Sequence, residues 1–425
     1  MSATPSSILW RASSSETIDA PPLSRDTDVD LLVIGGGFTG TSAALQAARS
    51  GASVCLLEAE TFGYGGSGRN VGLVNAGLWL PPDRIVEQLG EAEGGRLIDV
   101  LGQGPGDVFA LIEREAIQCE ATRSGTLHLA HSQAGVNDLK ERCRQGTRHG
   151  APLRLLNRED TELRTGTNAF SGALFDPRAG TIHPLAYCQG LARAAQAQGS
   201  AICEHSKVTA LTRDGDRWRA VANGHRVRAR HVIVATNAYH LGLNAPFTPA
   251  FTVVNYCQFA TAPLPPAVRE TILPNGEGCW DTAMVMSSIR LDQAGRLIVG
   301  GVGSMEHRGK DFHLSWARRK LRQLYPQLPA ASFDYAWSGR IAMTDDHIPK
   351  IVKFGPNAYS VFGYSGRGIA PGTVFGKALA DTLLLEPHGD LPLAATEHYA
   401  ERFSRAKAYY YEFGAKLVHG VSARL

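Results

Sequence analysis

The chain has 425 residues, of which 44% are apolar and 20% charged, the composition of an ordinary globular protein. Its formal net charge of +3 is too small to favour nucleic acid as a partner, and its length predicts two or three domain-sized units. Seven cysteines are scattered without the spacing of metal ligands. We therefore expect reduced thiols, a cytoplasmic location and no metal.

The first residues differ in composition from the rest of the chain. Residues 1–27 are rich in Ser, Thr, Ala and Pro, and we interpret them as a polar N-terminal tail in which Leu9 and Trp10 are candidates for docking on the body. The tail has no apolar core of a signal peptide, and no later stretch is long enough to span a bilayer. The sequence therefore predicts no integral membrane segment.

A β-α-β unit follows the tail. The apolar run from Leu31 to Ile34 predicts a buried strand, and small residues at helical spacing predict a helix from Phe38 to Ser50 that stops at Gly51. Val54 to Leu57 predicts a second buried strand. Together they span about 30 residues, the size that such a unit needs.

The turn from Gly35 to Gly40 has the spacing G-x-G-x-x-G between strand and helix. Glycines there permit the tight turn, let a pyrophosphate approach the backbone and let the helix pack on the strand, while the helix N-terminus favours phosphate. A carboxylate at the end of the second strand can accept the ribose hydroxyls. The predicted dinucleotide contacts are Gly35, Gly37, Phe38, Thr39, Gly40 and Glu58. The motif leaves FAD and NAD open, and a glycine-rich turn in another α/β fold is the alternative.

Three later segments also place small residues where a flat ligand can approach. The loop from Gly65 to Gly72 follows the ribose acid closely, the strand ending at Ala235 borders the ligand crevice of a doubly wound sheet, and the turn from Gly363 precedes a helix. A flexible surface loop and a simple exit from a strand are the alternatives for the first two. The predicted contacts are Ser67, Gly68, Arg69, Asn70, Val71, Gly72, Ala235, Thr236, Asn237, Gly366, Arg367, Gly368 and Ile369.

With these motifs together, the chain resembles the FAD-dependent amine and D-amino-acid oxidase family, and within it the gamma-glutamylputrescine oxidase branch. The resemblance runs from Asp28 to about Arg405. The matching segments are the glycine turn with Glu58, residues 67–70, Ala235 to Tyr239, Trp337 to Arg340 with Thr344 and Pro349, and Gly363 to Gly368.

The resemblance implies an α/β fold, with a Rossmann-type FAD-binding domain and an inserted antiparallel β-sheet substrate domain that face each other across the flavin. It implies hydride transfer from the carbon next to the substrate nitrogen to flavin N5, hydrolysis of the imine, and reoxidation by O₂ or another acceptor. It also places the backbone of Val208 against the adenine.

Two departures from the family pattern matter. Relatives with covalent flavin have a cysteine near the segment from Gly339 to Thr344, which here contains none, so we expect non-covalent FAD. Val71 stands where the branch usually has glycine, so the edge of the pocket is expected to differ.

The pattern of elements predicts a discontinuous FAD-binding domain. We assign it residues 28–82, 150–245 and 335–390, and we assign residues 83–149 and 246–334 to the substrate domain. Residues 391–425 form a C-terminal segment, in which 396–419 reads as one amphipathic helix.

Candidates for direct contact with the substrate are Arg340, Arg290 and Tyr364. Either arginine could clamp a substrate carboxylate, with a structural ion pair as the alternative for each. Tyr256 and Tyr364 could form a wall of an amine pocket, with core packing as the favoured alternative for Tyr256. The sequence names no general base, because the family needs none when the neutral amine binds.

Three functions compete at this point. The first is an FAD-dependent oxidase of a small amine or amino acid that uses O₂. The second is an FAD-dependent dehydrogenase that feeds a quinone or another carrier. The third, of a different class, is a flavin-binding subunit without turnover.

Overall fold

The computed structural model describes residues 7–240, 242–306, 310–328, 332–385 and 390–421. Within these ranges the chain forms two eight-stranded sheets and one two-stranded sheet, with helices packed around them. The strands, in chain order, are β1 (Thr27–Ile34), β2 (Val54–Leu57), β3 (Leu73–Val74), β4 (Thr126–Leu129), β5 (Arg154–Leu156), β6 (Ala173–Asp176), β7 (Gly180–Thr181), β8 (Ala201–Cys203), β9 (Val208–Asp214), β10 (Arg217–Ala222), β11 (His225–Val234), β12 (Thr252–Pro263), β13 (Gly278–Asp281), β14 (Ser287–Leu291), β15 (Arg296–Val302), β16 (Phe333–Met343), β17 (Lys350–Gly355) and β18 (Ala358–Phe362).

The α-helices are α1 (Leu9–Ser13), α2 (Phe38–Arg49), α3 (Pro82–Arg114), α4 (Gln133–Arg148), α5 (Arg158–Thr165), α6 (Pro184–Ala197), α7 (Pro266–Arg269), α8 (Lys310–Leu324), α9 (Ile369–Leu384) and α10 (Ser404–Val421). Short 3₁₀ turns occupy Gly66–Gly68 and Asn237–Tyr239. None of the helices in the described ranges combines the length and the hydropathy needed to cross a bilayer.

The first large sheet forms one half of the molecule and carries the glycine turn that the sequence predicts to bind a dinucleotide. Its order is β17-β18-β11-β1-β2-β8, with β10 and β9 added beside β11. The central strand β1 pairs in parallel with both β11 and β2, which explains its run of buried apolar residues. Helix α2 packs against α6 and α9 on one face. The predicted strand, helix and strand of this unit agree with the structure to within a few residues, and the Rossmann-type fold is confirmed.

The second large sheet carries the other half, in the order β16-β12-β15-β14-β13-β4-β6-β5. Its neighbours are antiparallel except for β13 and β4, which run in parallel. Helix α8 and the residues Phe259, Ile289 and Trp316 contribute to a separate apolar core on this sheet. The second half therefore has an apolar core separate from the two clusters that cover the faces of the first sheet, as the predicted two-domain fold requires.

The sheets divide the chain differently from the predicted boundaries in three places. Strands β5 and β6 fall in the range assigned to the FAD domain, but they pair with each other and with β4 in the second sheet. All of β16, predicted to be split at residue 335, pairs with β12. Helix α3, assigned to the substrate domain, packs its apolar face into the core that also contains Leu31 and Val33. These assignments depend on pairing between distant segments, which local patterns do not encode.

Both termini pack on the body. In the N-terminal segment, Leu9 and Trp10 are fully buried in a cluster with Leu185 of the first half and Trp337 of the second. At the other end α10 begins at Ser404, eight positions after the predicted start. The backbone at Thr396 instead bonds to β17 as an extended bridge, and this tertiary pairing overrides the helical pattern.

Candidate active site

The glycine turn after β1 has no room for side chains. Gly35 has a φ of +109°, and a Cβ there would lie 2.9 Å from the carbonyl oxygen of Ala235. A Cβ at Gly40 would lie 1.9 Å from the carbonyl oxygen of Gly35, so the first turn of α2 packs directly on the strand end. Glycine is therefore required here for both the conformation and the close approach of helix and strand.

The N-terminus of α2 is open toward the space beyond the turn. Its N-cap, Gly37, provides no capping side chain, and the hydroxyl of Ser67 accepts the N–H of Phe38 at 3.0 Å. A Cβ at Gly37 would lie 2.9 Å from the Ser67 hydroxyl. Free N–H groups and the helix dipole make such an N-terminus a site for a phosphate anion.

Glu58 lies at the end of β2, beside the same turn. Its carboxylate accepts the N–H of Gly36 at 2.6 Å and that of Glu60 at 2.9 Å. Burial raises the pKa of Glu58, while these two N–H donors act in the opposite direction. The side chain is thus fixed at the strand end, where a carboxylate can accept the hydroxyls of a ribose.

The loop from Ser67 to Gly72 is held by its own side chains. Arg69 donates to the carbonyl oxygens of Tyr64 at 2.8 Å and Ser338 at 3.1 Å, and the amide of Asn70 donates to the carbonyls of Gly66 and Ser67. The sequence predicts that these two side chains offer donors to the ligand. In the structure both residues line the cavity, and these hydrogen bonds also hold the loop in place.

The turn before α9 forms another side of the site. Ser365 and Gly366 have φ values of +49° and +91°, and the N-cap of α9, Gly368, has no side-chain cap. The hydroxyl of Tyr364 shares a 2.8 Å hydrogen bond with that of Thr39. This bond connects the turn before α9 to the first turn of α2.

One cavity of about 740 Å³ joins these segments, and its far wall is the second sheet. Its volume lies within the range of cofactor and ligand pockets. Of the predicted cofactor contacts, those that line it are Gly35, Gly37, Phe38, Thr39, Glu58, Ser67, Arg69, Asn70, Val71, Val208, Ala235, Thr236, Asn237, Gly366, Arg367, Gly368 and Ile369. Gly40, Gly68 and Gly72 lie behind this wall, where neighbouring carbonyl oxygens leave no space for a Cβ. The open helix N-terminus, the carboxylate and the side-chain-free turns fit a dinucleotide that extends from Glu58 to Gly366.

The two candidate arginines have different environments. Arg340 lines the cavity with its side chain 41% exposed, 5.8 Å from the centre of the Tyr239 ring and 3.9 Å from the carboxylate of Glu306. Arg290 does not line the cavity. Its guanidinium is buried and donates to the carbonyl oxygens of Ile182 at 2.6 Å, Val71 at 3.2 Å and Gly72 at 3.3 Å. The prediction that Arg290 contacts the substrate is therefore corrected to a structural role for this residue, and burial lowers its pKa to about 10.

Sequence reasoning missed several residues of the cavity. The second sheet contributes Trp280, and Trp79 comes from the loop before α3. Tyr256, considered from the sequence as a pocket wall with core packing favoured, also lines the cavity, and its hydroxyl donates to Ser288 at 2.9 Å. Helix α10 adds aromatic residues at the rim. The alternation of buried positions along the strands marks the two faces of a strand but not which face meets the cofactor.

Residues 30–382 match the family model for FAD-dependent oxidoreductases of the DAO type. The chain therefore belongs to the DAO family of FAD-dependent oxidoreductases, and FAD is its cofactor, which confirms both predictions.

Two curated relatives cover most of the chain. The probable oxidoreductase OrdL of Haemophilus influenzae is 31% identical over 374 residues, which are 86% of this chain and 85% of the relative. The gamma-glutamylputrescine oxidoreductase of Escherichia coli is 30% identical over 384 residues, 89% of this chain and 88% of that protein. Among solved structures, the glycine oxidase of Geobacillus kaustophilus has a TM-score of 0.70 at 20% identity and covers 88% of this chain and 100% of that chain, a likeness of fold. The chain is thus an enzyme related to the amine and amino-acid oxidases.

Proposed function

We propose that the chain oxidises the C–N bond of a small amine or amino acid to an imine, with O₂ as the final electron acceptor. The observation that carries the proposal is the single cavity in which the nucleotide-binding turn at Gly35, the turn at Gly366 and Arg340 of the second sheet meet. Bound FAD would supply the acceptor for the hydride that leaves the carbon next to nitrogen.

The residues around the Gly366 turn supply binding and electrostatics for this reaction. The uncapped N-terminus of α9 favours negative charge in the cavity next to Gly368. Arg340 is held only loosely by Glu306, so its guanidinium can pair with a substrate carboxylate in a bidentate manner. Tyr256 and Tyr364 provide walls against which an amine can pack.

The described residues that line the cavity offer no proton acceptor for the substrate. Among its described lining residues there is no histidine or aspartate, and the glutamates, Glu58 and Glu60, lie at the nucleotide end. The amine must therefore enter in its neutral form or lose its proton to water. We expect kcat/KM to rise with pH up to the pKa of the free substrate amine, and to follow that pKa when the substrate is changed.

The decisive experiment is anaerobic reduction of the purified yellow protein by a panel of amines and amino acids. Loss of the flavin absorbance with a member of the panel, without nicotinamide, is the expected result. If no member bleaches the flavin, the catalytic proposal fails and the flavin-binding subunit without turnover takes its place.

A dehydrogenase is a second candidate, because an apolar surface lies at the rim of the cavity. Phe413 and Leu417 of α10 are 68% and 61% exposed, and Met284 beside them is 95% exposed. Such a patch suits the docking of an apolar electron carrier. Reoxidation of the reduced protein by O₂ and by a soluble quinone, measured side by side, separates the two activities.

We also propose that the FAD is bound without a covalent link. None of the described residues that line the cavity is a cysteine, and all seven cysteines are unpaired thiols. Acid precipitation should release the flavin into the supernatant; yellow colour that stays with the pellet would contradict this. The unpaired thiols also support a cytoplasmic location as a proposal.

A further inference from the structure

A second cavity of about 360 Å³ lies beside the first. It is lined by α3, by α4 and by the end of β6, and it shares only three lining residues with the main cavity: Asn75, Trp280 and Arg367. The proposed reaction leaves this space without a role.

The wall between the two cavities contains a stack of four side chains. The guanidinium carbon of Arg367 lies 5.1 Å from the ring centre of Trp79 and 5.0 Å from that of Trp280. On its other side, Trp280 stacks on His128 with the ring centres 5.0 Å apart. Two tryptophan faces thus orient the arginine at the boundary, which is a favourable place for a guanidinium.

This boundary has donors without acceptors. The Nε of Arg367 and the Nε1 of Trp280 are buried and have no hydrogen-bond partner in the described part of the chain. Trp280 as a whole residue is only 7% exposed. Arg367 donates one bond, from Nη1 to the carbonyl oxygen of Ala76 at 2.8 Å, and no described carboxylate lies within 4.0 Å of it. A buried guanidinium N–H and a buried indole N–H without acceptors cost free energy, so an acceptor supplied by a ligand would stabilise both.

Three arginines, Arg142, Arg178 and Arg367, line the second cavity together with Asp99 and Asp176. Asp176 is bonded to Arg178 at 2.7 Å, and Arg142 is bonded at 2.8 Å to Asp138, which does not line the cavity. Among the described residues, Arg367 is therefore the lining guanidinium without a carboxylate partner. His128 adds no charge near neutral pH, because burial and the neighbouring arginines hold its pKa well below the usual range.

We infer that the second cavity binds the carboxylate at the far end of an extended amine substrate, with Arg367 and Trp280 as donors and with Arg142 and Arg178 as supporting cations. The inference rests on the proposed function, because it places the amine of the same molecule in the main cavity. It predicts a preference for ω-amino carboxylates, in which a methylene chain separates the amine from the carboxylate.

The test compares ω-amino carboxylates with alkylamines of the same chain length, from four to six carbons. For at least one length, we expect the FAD-loaded protein to have a kcat/KM at least tenfold higher for the amino carboxylate. Arg142→Gln and Arg178→Gln should each reduce this ratio about tenfold. The matched control is Arg148→Gln, which removes the same charge from the exposed side of α4, where Arg148 pairs with Asp83, and it should leave the ratio unchanged.

A ratio near one at every length would overturn the inference. So would a ratio that survives Arg142→Gln and Arg178→Gln but disappears in Arg340→Gln, because the carboxylate would then bind in the main cavity.

Binding of glutarate, followed by calorimetry on the FAD-loaded protein, keeps the inference testable if no amine reduces the flavin. Glutarate should bind the wild-type protein and bind about tenfold more weakly to Arg178→Gln and to Arg367→Gln, with flavin content and thermal unfolding checked for each variant. No measurable binding to the wild-type protein, or equal binding to all variants, would contradict the second site. Failure of amine oxidation with glutarate binding intact would instead contradict the proposed function alone.

Discussion

At the scale of single residues, the site depends on positions where a side chain is missing. The contact between the first turn of α2 and the end of β1 exists because Gly40 brings no Cβ against the carbonyl oxygen of Gly35. The same backbone forms the turn that we propose to bind the dinucleotide. We therefore expect local packing and cofactor binding to be coupled at this position.

Gly40→Ala should lower both flavin content and stability. The added Cβ has no space, so we expect a loss of about 1–3 kcal/mol in the free energy of unfolding and most of the bound FAD. The ratio of flavin to protein absorbance and the thermal midpoint measure these effects. Gly95→Ala is the control, because nothing lies within 4 Å of a Cβ there, in the interior of α3. It should be neutral or slightly stabilising; equal flavin content in both variants would contradict the argument.

The two arginines named from the sequence should separate in their effects. Arg290→Gln leaves buried carbonyls such as that of Ile182 without a donor, so we expect a loss of about 2–4 kcal/mol in the free energy of unfolding. Because the side chain of Arg340 is half exposed, Arg340→Gln should change the free energy of unfolding by less than about 0.5 kcal/mol. For α-amino acids, whose carboxylate lies next to the amine in the main cavity, it should raise KM about tenfold or more. Denaturant unfolding and steady-state kinetics on both variants test this prediction. A large rise in KM for Arg290→Gln, with a large loss of stability for Arg340→Gln, would instead indicate that Arg290 binds the substrate carboxylate.

These arginines also show how far the sequence predicts the site. The glycine turn and Glu58 could be located because their function is encoded within one β-α-β unit of local sequence. The direction of a side chain on β14 or β16 depends on which face of the second sheet meets the cofactor. Strand β14 pairs with β15, the next strand along the chain, but β16 pairs with β12, which is distant in sequence. Which face of the assembled sheet meets the cofactor is not encoded in either strand, so Arg290 and Arg340 looked equivalent.

At the scale of elements, α10 is held to the second sheet by a pair of histidines. The Nδ1 atoms of His313 on α8 and His419 on α10 are 2.7 Å apart. The Nε2 atoms of both are buried without a hydrogen-bond partner among the described residues, and that of His313 lies 3.9 Å from the carboxylate of Glu412. His419 also stacks on Trp316, with ring centres 4.0 Å apart. Because one Nδ1 must accept the proton of the other, this bond requires that at least one of the rings is neutral.

Stability should therefore fall as the pH drops below about 6.5, the pKa of a histidine in the unfolded chain. Burial and the cations Arg319 and Lys320 lower the pKa of His419 in the folded protein to about 3, with Glu412 opposing them. Between these two values the unfolded chain binds a proton that the folded one does not, so acid favours unfolding. Thermal midpoints of the wild-type protein and of His419→Gln, measured from pH 7.5 to 4.5, test this. The variant should be less stable at pH 7.5 and should have a shallower slope; parallel curves would contradict it.

Other elements show why prediction succeeded locally and failed elsewhere. The strand from Val54 to Leu57 was predicted with the bounds that the structure has, because a parallel strand buried on both faces is a continuous apolar run. Strands β5 and β6 carry no comparable mark of the sheet to which they belong. Their place in the second sheet follows from pairing with β4.

At the scale of the whole molecule, the N-terminal segment connects the two halves. Trp10 is fully buried, and its indole N–H donates to the carbonyl oxygen of Asn70 at 2.9 Å, in the loop that lines the cavity. Its ring contacts His183 at 4.8 Å and Trp337 at 6.0 Å between ring centres, residues that belong to opposite halves. The segment that the sequence marks as a polar tail therefore forms part of the interface on which the cavity depends.

Trp10→Ala should loosen this interface, with a loss of about 3–5 kcal/mol in the free energy of unfolding and an FAD affinity at least tenfold weaker at temperatures where the protein is still folded. The matched control is Trp218→Ala. Trp218 is also buried, and its indole N–H also donates to a backbone carbonyl, that of Pro356 at 2.9 Å, but it packs within the first half alone. Denaturant unfolding and fluorescence titration of the apoprotein with FAD measure the two quantities. Both variants should lose stability. Only Trp10→Ala should lose FAD affinity, because only Trp10 contacts both halves and the loop that contains Asn70. Equal loss of affinity in the two variants would show that general destabilisation, and not the interface, controls cofactor binding.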